Sequence, residues 1–140
     1  FSFTPDVISR ALEHKVPRLE KRIHAMRELQ QQGWRVGLRF DPLIYCEDYP
    51  THYRQLFKQV FQALDPQAIH SISFGPFRLP KPFQQNIVRL YPDEALFAGR
   101  FEEHNGMVSY PRNIETEMSE FCRTEILQYV PEEKLFPCSI

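Results

Sequence analysis

The chain has 140 residues, the length of one domain, and its apolar and charged contents are those of an ordinary globular protein. Lys and Arg number 17 against 18 Asp and Glu, so no overall charge attracts nucleic acid or membrane, and an anion site has to be a local patch. No apolar run approaches the roughly 20 residues that span a bilayer, and no export segment is visible. These properties predict a cytoplasmic protein.

The first residues, Phe1-Ser2-Phe3-Thr4-Pro5, have the pattern of the end of a β-strand. Thr4 is placed to cap a helix over residues 5–13, with Pro5 at the first helical position, where its missing N–H costs nothing. The chain has no initiating Met and the strand lacks its beginning. We therefore expect the chain to be part of a longer protein, whose remainder shares the function.

Helices and strands alternate along the next part of the chain. Apolar residues recur at helical spacing in the helices, whereas the strands are short apolar runs closed by Gly or Pro. Pro42 is expected to end one strand after Phe40, because proline cannot donate to a ladder. Strand and helix alternation predicts a parallel sheet with crossover helices. The predicted elements are helix 17–33, strand 34–40, helix 51–64, strand 69–74 and helix 81–90.

The pattern changes after Pro92. Two short strand-like runs, residues 96–101 and 107–110, flank Asn105-Gly106, which is the strongest short-range signal for a β-hairpin. A helix over residues 114–129 and a last strand over residues 135–140 follow. This part of the chain is therefore expected to form an extension with a hairpin and a helix.

The carboxyl ends of the strands are the candidate site, because ligands of parallel α/β proteins bind there. Three such ends lie at residues 2–4, 40–45 and 73–78. Structural roles also fit these residues, since Ser2 and Thr4 can be helix caps and Asp41-Pro42 can be an ordinary turn.

The cysteines and histidines predict no metal site. Cys46, Cys122 and Cys138 are too far apart for a local zinc or iron–sulfur motif, and Cys122 lies on the apolar face of a predicted helix. The five histidines form no metal-binding pattern, and there is no Gly-rich phosphate loop.

Ser109-Tyr110-Pro111-Arg112, after the hairpin, combines an aromatic ring that we expect to be exposed with a cation. A ribbon of this kind can enter a DNA groove, with Arg112 on phosphate and Tyr110 stacked against a base. The alternative is a surface hairpin with a local cation–π contact.

The segment ALEHKVPRLEKRIHAMRELQQQGWRVGLRFDPLIY, preceded by SFTP and followed by SISFGPFRLP and IVRLYP, resembles the second half of the spore photoproduct lyase family of radical S-adenosylmethionine (SAM) enzymes. The resemblance rests on Glu-His-x-x-Pro, an Arg in the next helix, and Gly-x-x-Val-Gly leading to Phe-Asp-Pro. It implies an α/β fold, the second half of a partial (β/α)6 barrel, with about three parallel strands in residues 1–92. Residues 93–140 form the extension.

The resemblance also implies roles for individual residues. Ser2 matches a family serine that contacts SAM, and Thr4 stands where the family more often has Asn. Phe40, Asp41 and Pro42 end the fifth barrel strand beside the adenosyl group. Arg78, past the sixth strand, faces the cofactor or DNA. The family's three-cysteine motif for the [4Fe–4S] cluster is not present, so its ligands belong to the missing upstream part, and this chain alone is expected to be inactive.

The family activity implied is repair of a UV-induced thymine dimer in DNA by a 5′-deoxyadenosyl radical mechanism. Damaged DNA is then the partner, and Arg78, Tyr110 and Arg112 are its candidate contacts. One alternative keeps the radical SAM chemistry with a different substrate. Another is a non-enzymatic α/β domain that binds a partner through an aromatic surface formed by Tyr45, Tyr49 and Tyr53.

Overall fold

A parallel β-sheet with helices packed on one face forms the centre of the computed structural model, which describes residues 1–138. None of the helices formed by these residues has the length and hydrophobicity that a bilayer span requires. In chain order the elements are α1 (Asp6–Leu12), α2 (Leu19–Gln31), β1 (Val36–Leu43), α3 (Tyr49–Ala63), β2 (Ile69–Pro76), β3 (Arg78–Pro80), α4 (Lys81–Leu90), β4 (Glu102–His104), β5 (Met107–Ser109), α5 (Arg112–Ile126) and β6 (Leu135–Pro137). Single 3-10 turns lie at Pro66–Ala68, Ala95–Ala98 and Glu132–Lys134.

The main sheet has the order β1-β2-β6, and all of its strands are parallel. The first residues extend it beyond β1, because the Phe3 amide donates to the Arg39 carbonyl (2.8 Å) and the Arg39 amide to the Phe1 carbonyl (2.7 Å). The predicted α/β class with about three parallel strands is confirmed. The strand predicted over residues 135–140 is observed at Leu135–Pro137, and Ser139 and Ile140 lie outside the described residues.

Side chains along β1 alternate between two environments. Val36, Leu38 and Phe40 are buried under the helices, whereas Arg39 and Asp41 point to the opposite side of the sheet. The neighbouring strand continues the same alternation, with Ser71 and Ser73 on the side of Arg39. The sheet therefore has one apolar face under helices and one polar face, which we call the open face: Ser2, Gly37, Arg39, Asp41, Ser71 and Ser73.

Aromatic side chains fill much of the core between the sheet and the helices. The ring of Phe40 meets Phe57 of α3 edge to face at 5.0 Å and lies 6.2 Å from the ring of Phe3. Met118 and Cys122 of α5 are fully buried in the same core, which confirms the prediction for Cys122. Full burial of each large apolar side chain contributes about 1.5–3 kcal/mol, so these contacts hold the sheet against its helices.

The prediction that Pro42 ends its strand is wrong. The strand continues through a cis Asp41-Pro42 peptide bond to Leu43. Phe40 pairs with Phe74 and Leu43 with Pro76, so β1 carries one more residue than β2 across this interval. Pro42 lies in the resulting bulge, where the ladder needs no N–H from it.

Thr4 is not a helix cap. The first helix begins at Asp6 with Pro5 at the cap position, and no side chain caps it. The Thr4 hydroxyl instead donates to Oε1 of Glu13 at 2.9 Å. The partly exposed Glu13 carboxylate, beyond the end of the helix, is the stronger acceptor available to this hydroxyl.

The hairpin turn at Asn105-Gly106 is confirmed, and both residues have positive φ, which this turn favours. The strand predicted over residues 96–101 is wrong, because Ala95–Ala98 forms a 3-10 turn capped by the Glu94 carboxylate. The strand before the hairpin turn is β4, and β3, which was not predicted, completes a small antiparallel sheet in the order β3-β5-β4.

The part of the chain after residue 92 completes the core built by the part before it. Strand β5 pairs with β3, β6 pairs with β2, and α5 packs against α3 and β2. The division of the chain at residue 92 stays a prediction.

Phe40→Ala is expected to lower the free energy of unfolding by about 3–5 kcal/mol, because the cavity beside Phe57 and Phe3 cannot be refilled. Phe83→Ala is the matched control, since Phe83 is 54% exposed, and its change should stay within about 0.5 kcal/mol. Urea unfolding of the two variants measures both values. Equal losses would contradict the assignment of Phe40 to the core.

Candidate functional site

A row of polar side chains crosses the open face. Backbone pairing places Arg39 between Ser2 on one side and Ser73 on the other. The Ser2 residue is exposed, and the Arg39 side chain is 59% exposed. The strand ends predicted from the sequence included Ser2 and Ser73 but not Arg39, although the alternation of apolar and polar residues along β1 marks Arg39 as well. The row offers two hydroxyls and a guanidinium to a polar ligand.

Asp41 lies next to this row, between two arginines. Its Oδ2 atom is 3.1 Å from Nη2 of Arg39 and 3.7 Å from Nη2 of Arg78, and only 8% of its side chain is exposed. Two guanidinium groups against one carboxylate leave a net positive charge at this end of the sheet. The structure thus brings together Asp41 and Arg78. The resemblance had assigned Asp41 to the cofactor site, and Arg78 to either the cofactor or DNA.

Arg78 is held in place by backbone carbonyls. Its Nη1 donates to the carbonyl of Pro76 at 3.1 Å and approaches the carbonyl of Cys138 at 3.5 Å. Gly75 permits this arrangement, because a Cβ atom there would collide with the Cys138 carbonyl oxygen. The ends of β2 and β6 therefore meet around the Arg78 side chain, which remains partly exposed.

Two of the predicted cofactor residues do not present side chains to the open face. Phe40 is fully buried on the helix side, so only its backbone is available near the open face. Thr4 is buried and its hydroxyl is engaged with Glu13. Pro42 is exposed in the bulge of β1. Ser2 and Asp41 are thus the predicted residues whose side chains belong to the open face.

Tyr110 is not an exposed wedge, and that prediction is wrong. The residue is 4% exposed, its ring stacks on Phe101 at 5.1 Å, and its hydroxyl accepts a hydrogen bond from the Tyr45 amide at 3.1 Å. Burial raises the pKa of Tyr110 to about 12, although the hydrogen bond from Tyr45 acts in the opposite direction. A ring covered on this scale cannot stack on a DNA base without unpacking the extension.

Arg112, in contrast, is exposed at the first position of α5. It lines a cleft of about 360 Å³ together with His104 and Asn105 of the hairpin. The ends of β2 and β6 form another wall of this cleft through Pro76 and Cys138. The hairpin and the carboxyl ends of the parallel strands therefore share one concave surface.

The aromatic partner surface is not formed. Tyr45 is exposed, but Tyr53 is buried with its hydroxyl accepting from the Ile44 amide at 2.8 Å. Tyr49 is also buried and donates to Oε1 of Glu117 at 3.0 Å. Two of the three rings thus belong to the core, and the binding-domain alternative loses the surface on which it rested.

Metal ligands are not gathered among the described residues, which contain no group of three His, Cys, Asp or Glu side chains able to hold a metal ion. Cys122 is buried on α5, whereas Cys46 and Cys138 are partly exposed at separate places in the fold. The donors within residues 1–138 therefore do not fit a [4Fe–4S] cluster. The hydroxyl groups of the open face offer hydrogen bonds to a polar ligand such as SAM.

The fold is an α/β unit whose parallel sheet has one polar face, with Asp41 and Arg78 at the carboxyl ends of its strands. Residues 1–136 match the spore photoproduct lyase family, so the chain belongs to that family. Spore photoproduct lyase of Bacillus subtilis is 30% identical to it over 98 residues, which are 69% of this chain and 29% of that protein.

Solved structures have the same fold. Spore photoproduct lyase complexed with dinucleoside spore photoproduct superposes with a TM-score of 0.77 at 19% identity, over 98% of this chain and 42% of that one. A double mutant of spore photoproduct lyase with bound AdoMet and dinucleoside spore photoproduct gives a TM-score of 0.75, with the same identity and coverage. The chain thus spans less than half the length of these relatives.

Tyr110→Phe is expected to lower the free energy of unfolding by about 1 kcal/mol, because the Tyr45 amide loses its acceptor. The exposed Tyr91, changed to Phe, is the control and should stay within about 0.5 kcal/mol. Urea unfolding at neutral pH measures both variants. A cost no larger than that of the control would contradict the buried hydrogen bond.

The same variant has a pH signature. The folded-state pKa of Tyr110, about 12, lies above the ordinary value of 10.0, so the neutral phenol stabilises the fold below pH 10 and this stabilisation is lost as the pH rises toward 12. Tyr110→Phe is therefore expected to lose less stability than the unaltered protein over this interval.

Proposed function

We propose that this chain is the carboxyl-terminal part of a radical SAM lyase that repairs spore photoproduct, a UV-induced thymine dimer, in DNA. The match of the family to residues 1–136 carries the proposal. The open face supports it, because its hydroxyl and charged groups line one side of the parallel strands, and Asp41 and Arg78 lie at the carboxyl ends, where such a barrel binds ligands. The relatives with bound AdoMet and dinucleoside spore photoproduct have the same fold.

Ser2 is the side chain that we assign to SAM, since its exposed hydroxyl heads the polar row. Asp41, Pro42 and the backbone of Phe40 are assigned to the wall beside the adenosyl group, while Thr4 contributes through the segment it anchors. The chemistry that SAM supplies, when bound to a reduced [4Fe–4S] cluster, is abstraction of a hydrogen atom from the lesion. The residues of this chain bind, orient and shield the reacting groups from water.

The cluster ligands are proposed to lie upstream of this chain, because its three cysteines are not gathered. The chain by itself is then inactive, and the upstream half of the same protein is its partner in catalysis. The proposed location is the cytoplasm.

Arg112 and Arg78 are assigned to damaged DNA. Both are at least partly exposed, and the cleft lined by Arg112 adjoins the strand end from which Arg78 extends. Phosphate contacts of this kind position a duplex without reading its sequence. The near-balanced total charge leaves phosphate contacts to local cations, and in the cleft Arg112 lies beside the carboxylates of Glu115 and Glu120.

The decisive experiment uses the whole protein that contains this chain, purified and reconstituted without oxygen. We expect iron and sulfide to be bound and 5′-deoxyadenosine to be released in larger amount with UV-irradiated DNA that contains the thymine dimer than with undamaged DNA. Iron and sulfide without a response to the lesion would indicate a radical SAM enzyme with a different substrate. Absence of iron and sulfide would overturn the proposal.

Arg112→Ala in the whole protein is expected to weaken binding of lesion DNA and to reduce the slope of log K against log salt concentration by about 1, because one phosphate contact is lost. Arg123→Ala is the matched control, since Arg123 lies about 16 Å further along the same helix and pairs with Glu132. Fluorescence anisotropy at several salt concentrations measures both. Equal slopes for the two variants would remove Arg112 from the DNA surface.

A further inference from the structure

An ion pair between the first two helices lies directly behind the segment that carries Ser2. Glu13 follows the last turn of α1, and Arg22 is in the first turns of α2. Nη2 of Arg22 is 3.0 Å from Oε2 of Glu13, and their side chains are only 14% and 29% exposed. Glu13 is the Glu of the sequence pattern Glu-His-x-x-Pro, and Arg22 is one of the two arginines in the helix that follows.

Glu13 gathers hydroxyl groups as well as the guanidinium. The Thr4 hydroxyl donates to its Oε1 at 2.9 Å, and the Ser9 hydroxyl donates to its Oε2. Burial alone raises the pKa of Glu13, but the hydrogen bonds from Ser9 and Thr4 and the charge of Arg22 outweigh it, and the pKa lies below its ordinary value. The Glu13 carboxylate is therefore charged at neutral pH, and it accepts hydrogen bonds from the Thr4 and Ser9 hydroxyls as well as from Arg22.

Arg22 extends this network to the backbone of the first strand. Its Nη1 donates to the Ser2 carbonyl at 3.2 Å, while Nη2 also donates to the Ser9 hydroxyl at 3.1 Å. The Ser2 backbone is thus held from the helix side, and its side chain lies on the open face beside Arg39. The planar guanidinium reaches the carbonyl with Nη1 and the carboxylate with Nη2, whereas a lysine would have to approach both acceptors with one nitrogen.

Phe1–Phe3 is joined to β1 by three backbone hydrogen bonds: the two between Phe3, Arg39 and Phe1, and one from the Phe1 nitrogen to the Gly37 carbonyl at 3.0 Å. The Phe3 ring is buried on the helix side, so the Ser2 side chain lies on the open face. The Thr4 hydroxyl, bound to Glu13, and the Ser2 carbonyl, bound to Arg22, add two side-chain contacts to this segment from the helix side.

We propose that Glu13 and Arg22 are positioning residues of the SAM site, which fix the direction in which Ser2 presents its hydroxyl. This inference rests on the proposed function, since it requires Ser2 to contact SAM. Neither residue touches the cofactor; both act through the backbone and through Thr4. A purely structural pair would stabilise the packing of α1 on α2 and leave cofactor affinity unchanged in every variant that folds.

The test measures the dissociation constant of SAM in the reconstituted whole protein by equilibrium dialysis, together with the urea midpoint of each variant. Arg22→Lys keeps the charge and loses the second nitrogen, and it is expected to weaken SAM binding about tenfold, the loss that one charge-assisted hydrogen bond corresponds to. Arg10→Lys is the matched control, because Arg10 forms an exposed ion pair with Asp6 on α1 and should leave the constant unchanged.

A double-mutant cycle separates positioning from structure. Ser2→Ala alone is expected to weaken SAM binding, and Arg22→Lys added to it should cause little further loss, because there is no longer a hydroxyl to orient. Glu13→Gln, which keeps an acceptor for Thr4 but loses the ion pair, is expected to give a smaller loss than Arg22→Lys. Faster hydrogen exchange at the Phe3 amide in Arg22→Lys, without SAM, is the independent structural readout.

Four results would overturn the inference. Arg22→Lys with an unchanged dissociation constant, or with its full effect in the Ser2→Ala background, would show that the pair does not act through Ser2. Ser2→Ala with unchanged affinity would remove the group to be positioned while leaving the proposed function in place. A whole protein that binds no SAM before any substitution would overturn the proposed function and this inference together.

Discussion

Pairing of β1 with the Phe1–Phe3 segment on one side and with β2 on the other decides which side chains face the helices and which face the open side of the sheet. Because successive residues of a strand point in opposite directions, a register set by the burial of Leu38 and Phe40 places Arg39 and Asp41 on the other side. A slip of one residue would bury a guanidinium and expose a phenyl ring, at a cost of several kcal/mol. The apolar core thus determines the composition of the polar face.

Charged residues lie together at the carboxyl end of the sheet, and the cost of burying them is small. Asp41 is nearly covered, yet it lies between two arginines, so its burial is compensated. Arg78 in turn binds the carbonyls at which β2 and β6 end, and Gly75 allows the two strand ends to approach. These contacts link three parts of the chain at the edge where ligands of a parallel sheet bind, which gives the face a fixed shape before any ligand arrives.

The extension, residues 93–140, helps to hold the fold together, which its sequence does not indicate. Tyr110 joins the hairpin to the loop after β1 through its hydrogen bond with Tyr45, and its ring completes an aromatic group with Phe77 and Phe101. The hairpin is thereby attached beside the strand ends, and Arg112, the next charged residue, remains exposed over the cleft. The same short segment therefore buries the Tyr110 ring and exposes the Arg112 side chain.

The sequence by itself determined the helices with an apolar stripe, the parallel strands between them, the turn at Asn105-Gly106 and the family, because periodicity and turn chemistry act over a few residues. Only the tertiary structure decided that β1 continues past Pro42, that β3 exists, and that Tyr110 is buried rather than exposed. It also decided that Thr4 binds Glu13. Each of these depends on a partner remote in the chain, such as Tyr45 for Tyr110 at a separation of 65 residues, and no local pattern encodes such a contact.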